Sequence, residues 1–304
     1  MISQAELDKF YESIVIDVRR RGGVCAITSG MACVKYGVAQ STKDCDLLFA
    51  KEQSLEFLQL LCETQFHEVA CTYRGNLSPP LDGRWLSGGW TSHFQWKHPE
   101  VVVHLDVFGL APRGSVPWEY EINGLYVSRQ IVAEMKRTNR LKDWPFATAL
   151  GTHVLLEGDP RGWLHIFDEQ ILLDMAQNRE CPSEIFNRRP VLRLVLERSP
   201  LLKQALYIEQ FFWHELDRIR IQIYEQAVRP YRSAVMRRQL RFEGNLLLQH
   251  QARIECAEEL LSRNPVKEYG IEKIIDKSLD ATRAFGQKWM EYLPDVRENF
   301  ENLF

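Results

Sequence analysis

Three aspartates in strand-like segments constrain this chain more than any other feature. Asp44 and Asp46 stand in the run 43–49, and Asp106 stands in the apolar run 101–108. Acidic residues are depleted in strands, so three of them in such runs require an explanation. Because alternate residues of a strand point to the same face, Asp44 and Asp46 are expected to project together.

The pairing of these acids suggests a metal site. Two neighbouring carboxylates repel each other and resist ionisation unless a cation accompanies them. Mg²⁺ (or Mn²⁺) prefers oxygen ligands, and a third carboxylate from a neighbouring strand completes such a set. We therefore predict that Asp44, Asp46 and Asp106 bind metal for phosphoryl or nucleotidyl transfer. The alternative is a solvent-exposed acidic strand face, with Asp106 paired to an arginine.

The chain divides into a mixed first half and a helical second half. Strand signals largely stop after about residue 128. The predicted fold is α+β: an α/β N-terminal domain, residues 1–150, with a mixed sheet flanked by helices, and a helical domain, residues 151–304, that binds an acceptor or partner. The predicted strands are 24–28, 43–50, 67–73, 91–97 and 100–109. The predicted helices are 4–21, 31–36, 52–64, 128–141, 143–155, 164–178, 190–197, 200–227, 230–262 and 271–290.

Charge and cysteine usage narrow the classes of partner. The net charge of −3 gives no strong global attraction to nucleic acid, but residues 188–241 carry 12 Lys or Arg against 5 Asp or Glu. These helices either bind a nucleic-acid backbone or form a mixed surface in which arginines pair with acids. No apolar run of membrane-spanning length and no signal-peptide pattern is visible, and seven scattered cysteines suit a reducing compartment. We expect a cytoplasmic protein without a membrane partner.

A small-residue turn precedes the paired acids. Ser29 and Gly30 lie between a predicted strand and a predicted helix, where backbone N–H groups are available to a phosphate. Thirteen residues, 31–43, separate this turn from Asp44. Nucleotidyl transfer requires such a phosphate cradle beside two acids whose metals hold the triphosphate and activate the attacking hydroxyl. Asp106 is placed to serve as a further metal ligand or as a general base.

This order of motifs resembles the nucleotidyltransferase superfamily, which includes DNA polymerase beta, aminoglycoside nucleotidyltransferases and minimal nucleotidyltransferases. The family pattern is a hydrophobic residue, Gly, then Gly or Ser, a spacer of about nine to thirteen residues, and then an acid, a hydrophobic residue, an acid and a hydrophobic residue. Thr28-Ser29-Gly30 and Asp44-Cys45-Asp46-Leu47 fit this pattern at its long end. The chain departs from it at Ser29, which stands in place of the first glycine.

Within the superfamily, the chain is most similar to the AbiEii-like toxins of abortive-infection toxin–antitoxin pairs and to uncharacterised relatives. The similarity covers roughly residues 20–150 and rests on four short segments: 29–32, 36–37, 41–46 and 136–143. The resemblance implies that Lys136 contacts the nucleotide phosphates and that Arg140 or Lys142 assists. It also implies that Asp143 orients one of these cations.

The implied activity is Mg²⁺-dependent transfer of a nucleoside monophosphate from an NTP, such as ATP, to an acceptor hydroxyl. A tRNA 3′ end or another RNA fits the toxin-like resemblance, and an antitoxin protein is an expected partner on the same ground. A small molecule or a protein hydroxyl is the competing acceptor. The alternative from another class is a nucleotidyltransferase-fold module that binds nucleotide without turnover, which the departure at Ser29 allows.

Four further residues near these motifs are predicted to be structural. Arg74 follows a predicted strand and is expected to be a surface arginine, although it could reach the triphosphate. His93 and His104 are expected to be hydrogen-bonded structural histidines. Cys45 lies between the paired acids, so its side chain is expected to point to the opposite face and pack there.

Overall fold

A computed structural model describes residues 2–75, 78–239 and 245–301 of this chain. The fold is α+β, as the sequence predicts: a mixed seven-stranded sheet with helices, followed by a helical C-terminal region. The strands are β1 (Cys25–Thr28), β2 (Asp44–Phe49), β3 (Gln65–Phe66), β4 (Val69–Ala70), β5 (Thr72–Tyr73), β6 (Thr91–Lys97), β7 (Val102–Phe108), β8 (Ile122–Asn123) and β9 (Tyr126–Val127).

The large sheet has the strand order β5-β6-β7-β2-β1-β9-β8, and β3 and β4 form a separate ribbon. β2 lies between β1, to which it is antiparallel, and β7, to which it is parallel. The register places Asp46 opposite Thr28 on one side and opposite Asp106 on the other, and His93 of β6 lies opposite Asp106. One row of side chains therefore crosses four strands, and two of the predicted site acids stand in it.

Helices cover the N-terminal sheet and form most of the chain after residue 128. They are α1 (Gln4–Arg20), α2 (Ser29–Lys35), α3 (Ser54–Glu63), α4 (Gly83–Leu86), α5 (Arg129–Met135), α6 (Trp144–Leu156), α7 (Glu169–Asn178), α8 (Ser183–Arg188), α9 (Arg193–Leu196), α10 (Leu202–Gln239), α11 (Leu246–Leu260), α12 (Pro265–Tyr269), α13 (Ile271–Arg283) and α14 (Glu298–Glu301). Short 3₁₀ turns occupy 51–53, 118–120, 141–143, 160–164, 190–192 and 287–292. Among the described residues, no helix is long and apolar enough to cross a membrane.

The apolar residues separate into two main cores. The first lies around the sheet and includes residues of α1, β1, β2 and β7, and it extends to Leu150 of α6 and Leu246 of α11. The second lies among the helices that follow, around Trp163, Phe212 and Trp289. The division of the chain at residue 150 stays a prediction, and in the structure this position lies inside α6.

The sequence prediction missed the short hairpin of β8 and β9. β9 pairs in parallel with β1 through Ile27 and Tyr126, and β8 pairs with β9. Two-residue strands carry too little alternation to be recognised from sequence, because a strand pattern needs about four residues to show. The hairpin adds two strands to the edge of the sheet beside β1.

The predicted break between helices at 227–230 was wrong, because α10 continues through Pro230. An interior proline removes one backbone donor and usually ends or kinks a helix. Here the helix gains packing beyond the proline. The Tyr231 hydroxyl donates to the Ser78 carbonyl oxygen at 2.7 Å, and Val235 packs with Trp85 and Trp90 of the N-terminal region. The remainder of the predicted helix 230–262 falls partly outside the described residues.

The two halves of the chain meet at a buried ion cluster on α10. The Asp217 carboxylate accepts hydrogen bonds from Arg113 Nη1 at 2.6 Å and from Arg220 Nη2 at 2.8 Å. It also accepts a hydrogen bond from the backbone N–H of Asn139 at 2.9 Å. Burial opposes ionisation of Asp217, but the Arg113 and Arg220 guanidiniums outweigh it and hold the pKa of this carboxyl well below its usual value. One carboxylate therefore ties α10 to two segments of the N-terminal half.

We expect Asp217→Asn to lower the free energy of unfolding by about 3–5 kcal/mol at pH 7, because it leaves the Arg113 charge buried without its counter-ion. Urea denaturation followed by circular dichroism measures this loss. The matched control is Asp280→Asn, which removes an exposed partner of Arg283 and should change stability by less than about 0.5 kcal/mol. Equal effects of the two substitutions would show that the cluster does not hold the halves together.

Candidate functional site

Asp46 of β2 lies near the predicted phosphate turn and near a lysine from the segment after α5. Ser29 favours the ionised form of the Asp46 carboxyl, and the Lys136 ammonium lies 3.4 Å from the Ser29 hydroxyl. Lys136 is buried, with 6% of its surface exposed. The sequence-predicted residues Ser29, Asp46 and Lys136 therefore lie together at one end of the sheet.

The turn at Ser29 has the backbone geometry that the family pattern assigns to glycine. Ser29 has φ +52°, in the left-handed region that a glycine adopts without steric cost. Gly30 is required for a different reason, because a Cβ there would lie only 2.7 Å from the Thr42 side-chain oxygen. The close approach at Gly30 brings the residues just before Asp44 against the start of α2.

Asp46 and Asp106 are neighbours on adjacent strands. Burial, followed by repulsion from Asp106, raises the pKa of Asp46 to about 6 from an ordinary value of 3.8. Ser29 and Lys136 act in the opposite direction but do not compensate fully. Asp46 is thus a half-buried carboxylate whose surroundings supply less positive charge than its ionised form requires.

Asp106 has two cationic or hydrogen-bonding neighbours of its own. Arg74 Nη2 donates to both of its carboxylate oxygens, at 2.7 and 2.9 Å, and His93 Nδ1 lies 2.8 Å from the first of them. Burial favours the neutral carboxyl, but His93 and Arg74 outweigh it and lower the pKa of Asp106. The contacts of Asp106 therefore match the alternative interpretation, in which it is a strand acid paired with an arginine.

Asp44 occupies the exposed end of the same face. Its side chain is 58% exposed, and its carboxylate lies 3.0 Å from His104 Nδ1 of β7. Cys45 points to the opposite face and is buried, and burial raises the pKa of its thiol. The alternation predicted for β2 is therefore confirmed, with both acids on one face and Cys45 on the other.

The basic segment 136–143 is not a continuation of α5, contrary to the prediction of a helix to residue 141. α5 ends at Met135, and Lys136 is its C-terminal cap. The Thr138 hydroxyl oxygen accepts from the Arg140 N–H at 3.0 Å, and the Thr138 hydroxyl donates to Asp143 at 2.7 Å. These local side-chain bonds, together with the Asn139–Asp217 bond, compete with the helical pattern and end it.

Asp143 organises the cations of this segment. Its carboxylate is 3.4 Å from the Lys136 ammonium and accepts from Arg140 Nε at 2.7 Å. Burial opposes its ionisation, but Lys136, Thr138 and Arg140 lower the pKa of the Asp143 carboxyl. The row of side chains that contains Asp46 and Asp106 is called the acid row below. Of the three predicted phosphate-binding cations, only Lys136 approaches the acid row. Arg140 is half-exposed, and Lys142 is exposed in the 3₁₀ turn 141–143.

Arg74, which the sequence suggested as a surface arginine able to reach the triphosphate, is half-buried against Asp106 and becomes a candidate for the site. Its side chain is 29% exposed, and its backbone N–H donates to the His93 carbonyl oxygen at 2.8 Å. Helix α11 holds both flanking residues: Gln249 accepts from the Tyr73 N–H at 3.0 Å, and Arg253 donates to the Gly75 carbonyl at 2.6 Å. The only sequence signal was the alternation after the buried Tyr73.

The three aspartates fit a hard divalent cation only in part. Asp44 and Asp46 offer carboxylate oxygens on one face, and added positive charge would favour the ionised form of Asp46. Asp106 already holds Arg74, so its oxygens are engaged. Among the described residues, no three His, Cys, Asp or Glu side chains are grouped closely enough to hold a metal ion. The three-acid magnesium site stays a prediction, and Asp44 and Asp46 are the residues that fit it.

We expect Asp46→Asn to raise the free energy of unfolding by about 2 kcal/mol at pH 7.5 in the absence of divalent cations. Because the pKa of Asp46 is raised, its ionised form destabilises the folded state. This destabilisation is complete above about pH 6 and absent below the ordinary pKa of 3.8. The gain should therefore shrink as the pH falls from 7.5 to 4.5.

Urea denaturation at the two pH values measures this change. Asp44→Asn on the same strand is the control, because Asp44 is exposed and should change stability by less than about 0.5 kcal/mol. An equal gain at pH 7.5 and 4.5 would mean that the Asp46 charge is not the cause.

Comparisons with known proteins do not assign this site to a family. No protein-family model matches the chain. A search of curated proteins finds no matching relative.

Proposed function

We propose that this protein is a nucleotidyltransferase that transfers a nucleoside monophosphate from an NTP to an acceptor hydroxyl, with Mg²⁺ or Mn²⁺. The observation that carries the proposal is the matched register of Asp46 and Asp106 on adjacent strands, beside the Ser29 turn and Lys136. Two half-buried carboxylates side by side, one of them near a lysine and a small-residue turn, suit a triphosphate with its metal better than they suit a purely structural role.

The side chains have distinct roles in this proposal. Lys136 is buried and oriented by Asp143, so its ammonium binds a phosphate oxygen. Ser29 and Gly30 lie beside the phosphates, and Arg140 and Lys142 contribute positive charge at the entrance. Asp44 and Asp46 would hold the metal, which when bound neutralises the triphosphate and activates the attacking hydroxyl. Asp106 completes the ligand set or accepts the proton of that hydroxyl, once Arg74 has moved away from it.

An RNA, such as a tRNA 3′ end, is the proposed acceptor. The basic bias of residues 188–241 is partly neutralised within the fold, because Arg189 pairs with Glu209 and Arg218 pairs with Glu215. Exposed arginines remain on α10, at positions 229, 232 and 237. Counterion release predicts that tRNA binding at these arginines weakens steeply with salt, whereas a small-molecule acceptor gives a flat profile. An antitoxin protein partner remains part of the proposal.

A second candidate is a nucleotide-binding module of the same fold without turnover. The observation that favours it is the Arg74–Asp106 ion pair, which occupies the third acid. In this alternative the acids and Lys136 bind NTP and metal, and no pyrophosphate forms. Calorimetry that shows NTP binding, together with no pyrophosphate release over hours, would support the module over the enzyme.

We expect the wild-type protein to transfer label from α-labelled NTP to total tRNA in the presence of Mg²⁺, and Asp46→Asn to reduce the rate at least about a hundredfold. Because this substitution is expected to stabilise the fold, lost activity would not reflect unfolding. Asp280→Asn is the control and should retain full activity. Absence of transfer by wild-type protein with each of the four NTPs would contradict the enzyme.

We expect Arg74→Met to raise the affinity for Mn²⁺ about tenfold in the absence of nucleotide, because it removes the cation that competes for Asp106. Titration calorimetry with Mn²⁺ measures the change. Arg84→Met is the control, since Arg84 pairs with Asp82 and Glu258 outside the acid row. Unchanged Mn²⁺ affinity would show that Asp106 is not a metal ligand. Asp44 and Asp46 would then be the remaining proposed ligands.

A further inference from the structure

Helix α11 carries an arginine that is completely buried. Arg253 has 0% of its surface exposed. Its guanidinium donates to two backbone carbonyl oxygens, that of Gly75 at 2.6 Å and that of Gln249 at 3.2 Å. The same guanidinium lies over the Tyr73 ring, 4.2 Å from the ring centroid, where a cation is attracted to the aromatic face. The contacts of this charge are therefore with neutral groups.

Within the part of the chain that the structure describes, Arg253 has no carboxylate to balance its charge. The groups that favour its charged form are Tyr231, Tyr73 and Cys256, but burial outweighs them and lowers the pKa of Arg253. A buried charge without a counter-ion is costly, and an apolar side chain of similar length would fill the space without that cost. An arginine at this position therefore indicates a role for its hydrogen bonds beyond packing.

The contacts of Arg253 lie on both sides of Arg74. The Tyr73 ring precedes Arg74 in the chain, and the Gly75 carbonyl follows it. One turn earlier on α11, the Gln249 side chain accepts a hydrogen bond from the Tyr73 N–H at 3.0 Å. The backbone that carries Arg74 is thus held by α11 immediately before and immediately after this residue.

Arg74 depends on such support because of its place in the sheet. β5 is an edge strand of two residues, and Arg74 follows it with one backbone bond to β6, from its N–H to the His93 carbonyl oxygen at 2.8 Å. Its guanidinium nevertheless contacts Asp106 of β7, which lies two strands away, a distance of about 10 Å across a sheet. A strand this short fixes the start of such a reach only weakly, and α11 supplies the remaining contacts.

We propose that Arg253 is a positioning residue that, by holding Tyr73 and Gly75, keeps the Arg74 guanidinium on Asp106. Without Arg253, the backbone of residues 73–75 relaxes and the Arg74–Asp106 ion pair loosens. This step requires neither a metal ion nor an NTP. Its consequence rests on the proposed function: where Asp106 is a metal ligand, Arg253 sets how strongly Arg74 competes with the metal for it.

The test follows the Asp106 carboxylate by ¹³C NMR in the full-length protein without metal at pH 7.5, with its Cγ resonance assigned from Asp106→Asn. Arg74→Met removes the ion pair and should displace this resonance. Arg253→Met should displace it in the same direction by about half as much, and should not displace it further in the Arg74→Met background, because no cation remains to be positioned. A folded Arg253→Met variant with the wild-type resonance would overturn the proposal, as would no displacement by Arg74→Met.

Two further variants separate positioning from a general loss of packing. Cys256→Ala loosens the packing of α11 against Trp85 and Trp90 and should leave the Asp106 resonance in place. Arg253→Lys retains a donor for the Gly75 carbonyl and should restore most of the wild-type position. Equal displacement by Cys256→Ala and Arg253→Met would overturn the proposal, because it would trace the effect to packing alone.

Thermal melts establish that each variant folds. Where Arg253→Met does not fold, Gln249→Met decides the matter, because it removes the acceptor of the Tyr73 N–H and should displace the Asp106 resonance in the same direction as Arg74→Met. A folded Gln249→Met variant with an undisplaced resonance would then overturn the proposal.

Titration calorimetry with Mn²⁺ tests the consequence separately. We expect Arg253→Met to raise the Mn²⁺ affinity about threefold in the wild-type background and to leave it unchanged in the Arg74→Met background. A displaced resonance with unchanged Mn²⁺ affinity would support the positioning role of Arg253 and contradict Asp106 as a metal ligand. An undisplaced resonance would overturn the positioning role whatever the Mn²⁺ affinity.

Discussion

The ion cluster around Asp217 is the constraint on which the arrangement of the rest of the molecule depends. This buried carboxylate joins α10 to Arg113 in the loop after β7 and to the backbone of Asn139. Arg113 has φ +64°, a conformation that costs a non-glycine residue about 1–2 kcal/mol. The bonds from its guanidinium to Asp217 and to the Met135 carbonyl sustain that conformation. The position of Lys136, between Met135 and Asn139, follows from this cluster.

The acid row on the sheet is held in a state of incomplete charge compensation. Arg74 and His93 contact Asp106, and Lys136 contacts both Ser29 and Asp143. Asp46 therefore receives little of the positive charge of Arg74 or of Lys136. A fold selected for stability alone has no need to place a second carboxylate beside Asp106. Binding sites commonly retain such an arrangement, because the missing charge is supplied by the ligand. This reasoning links the raised pKa of Asp46 to the proposal of a metal-bound triphosphate.

Strand alternation and motif spacing were sufficient to predict the α+β class, the shared face of Asp44 and Asp46, and the proximity of Ser29 to Asp46. They were not sufficient for contacts set by register across long connections. Arg74 lies opposite His93 because β5 pairs with β6 across the connection 74–90, and a sequence alone does not reveal that register. The end of α5 at Met135 and the continuation of α10 through Pro230 also depend on tertiary contacts, which override local propensity.

The helical half also positions side chains that lie beside the acids of the sheet. Through Gln249 and Arg253, α11 fixes the backbone on both sides of Arg74, and through Asp217, α10 fixes the segment of Lys136. These two cations stand on opposite sides of the acid row, one over Asp106 and the other toward Asp46. Because both side chains are positioned by helices from the second half, the positive charge around the two acids depends on how those helices pack against the N-terminal half.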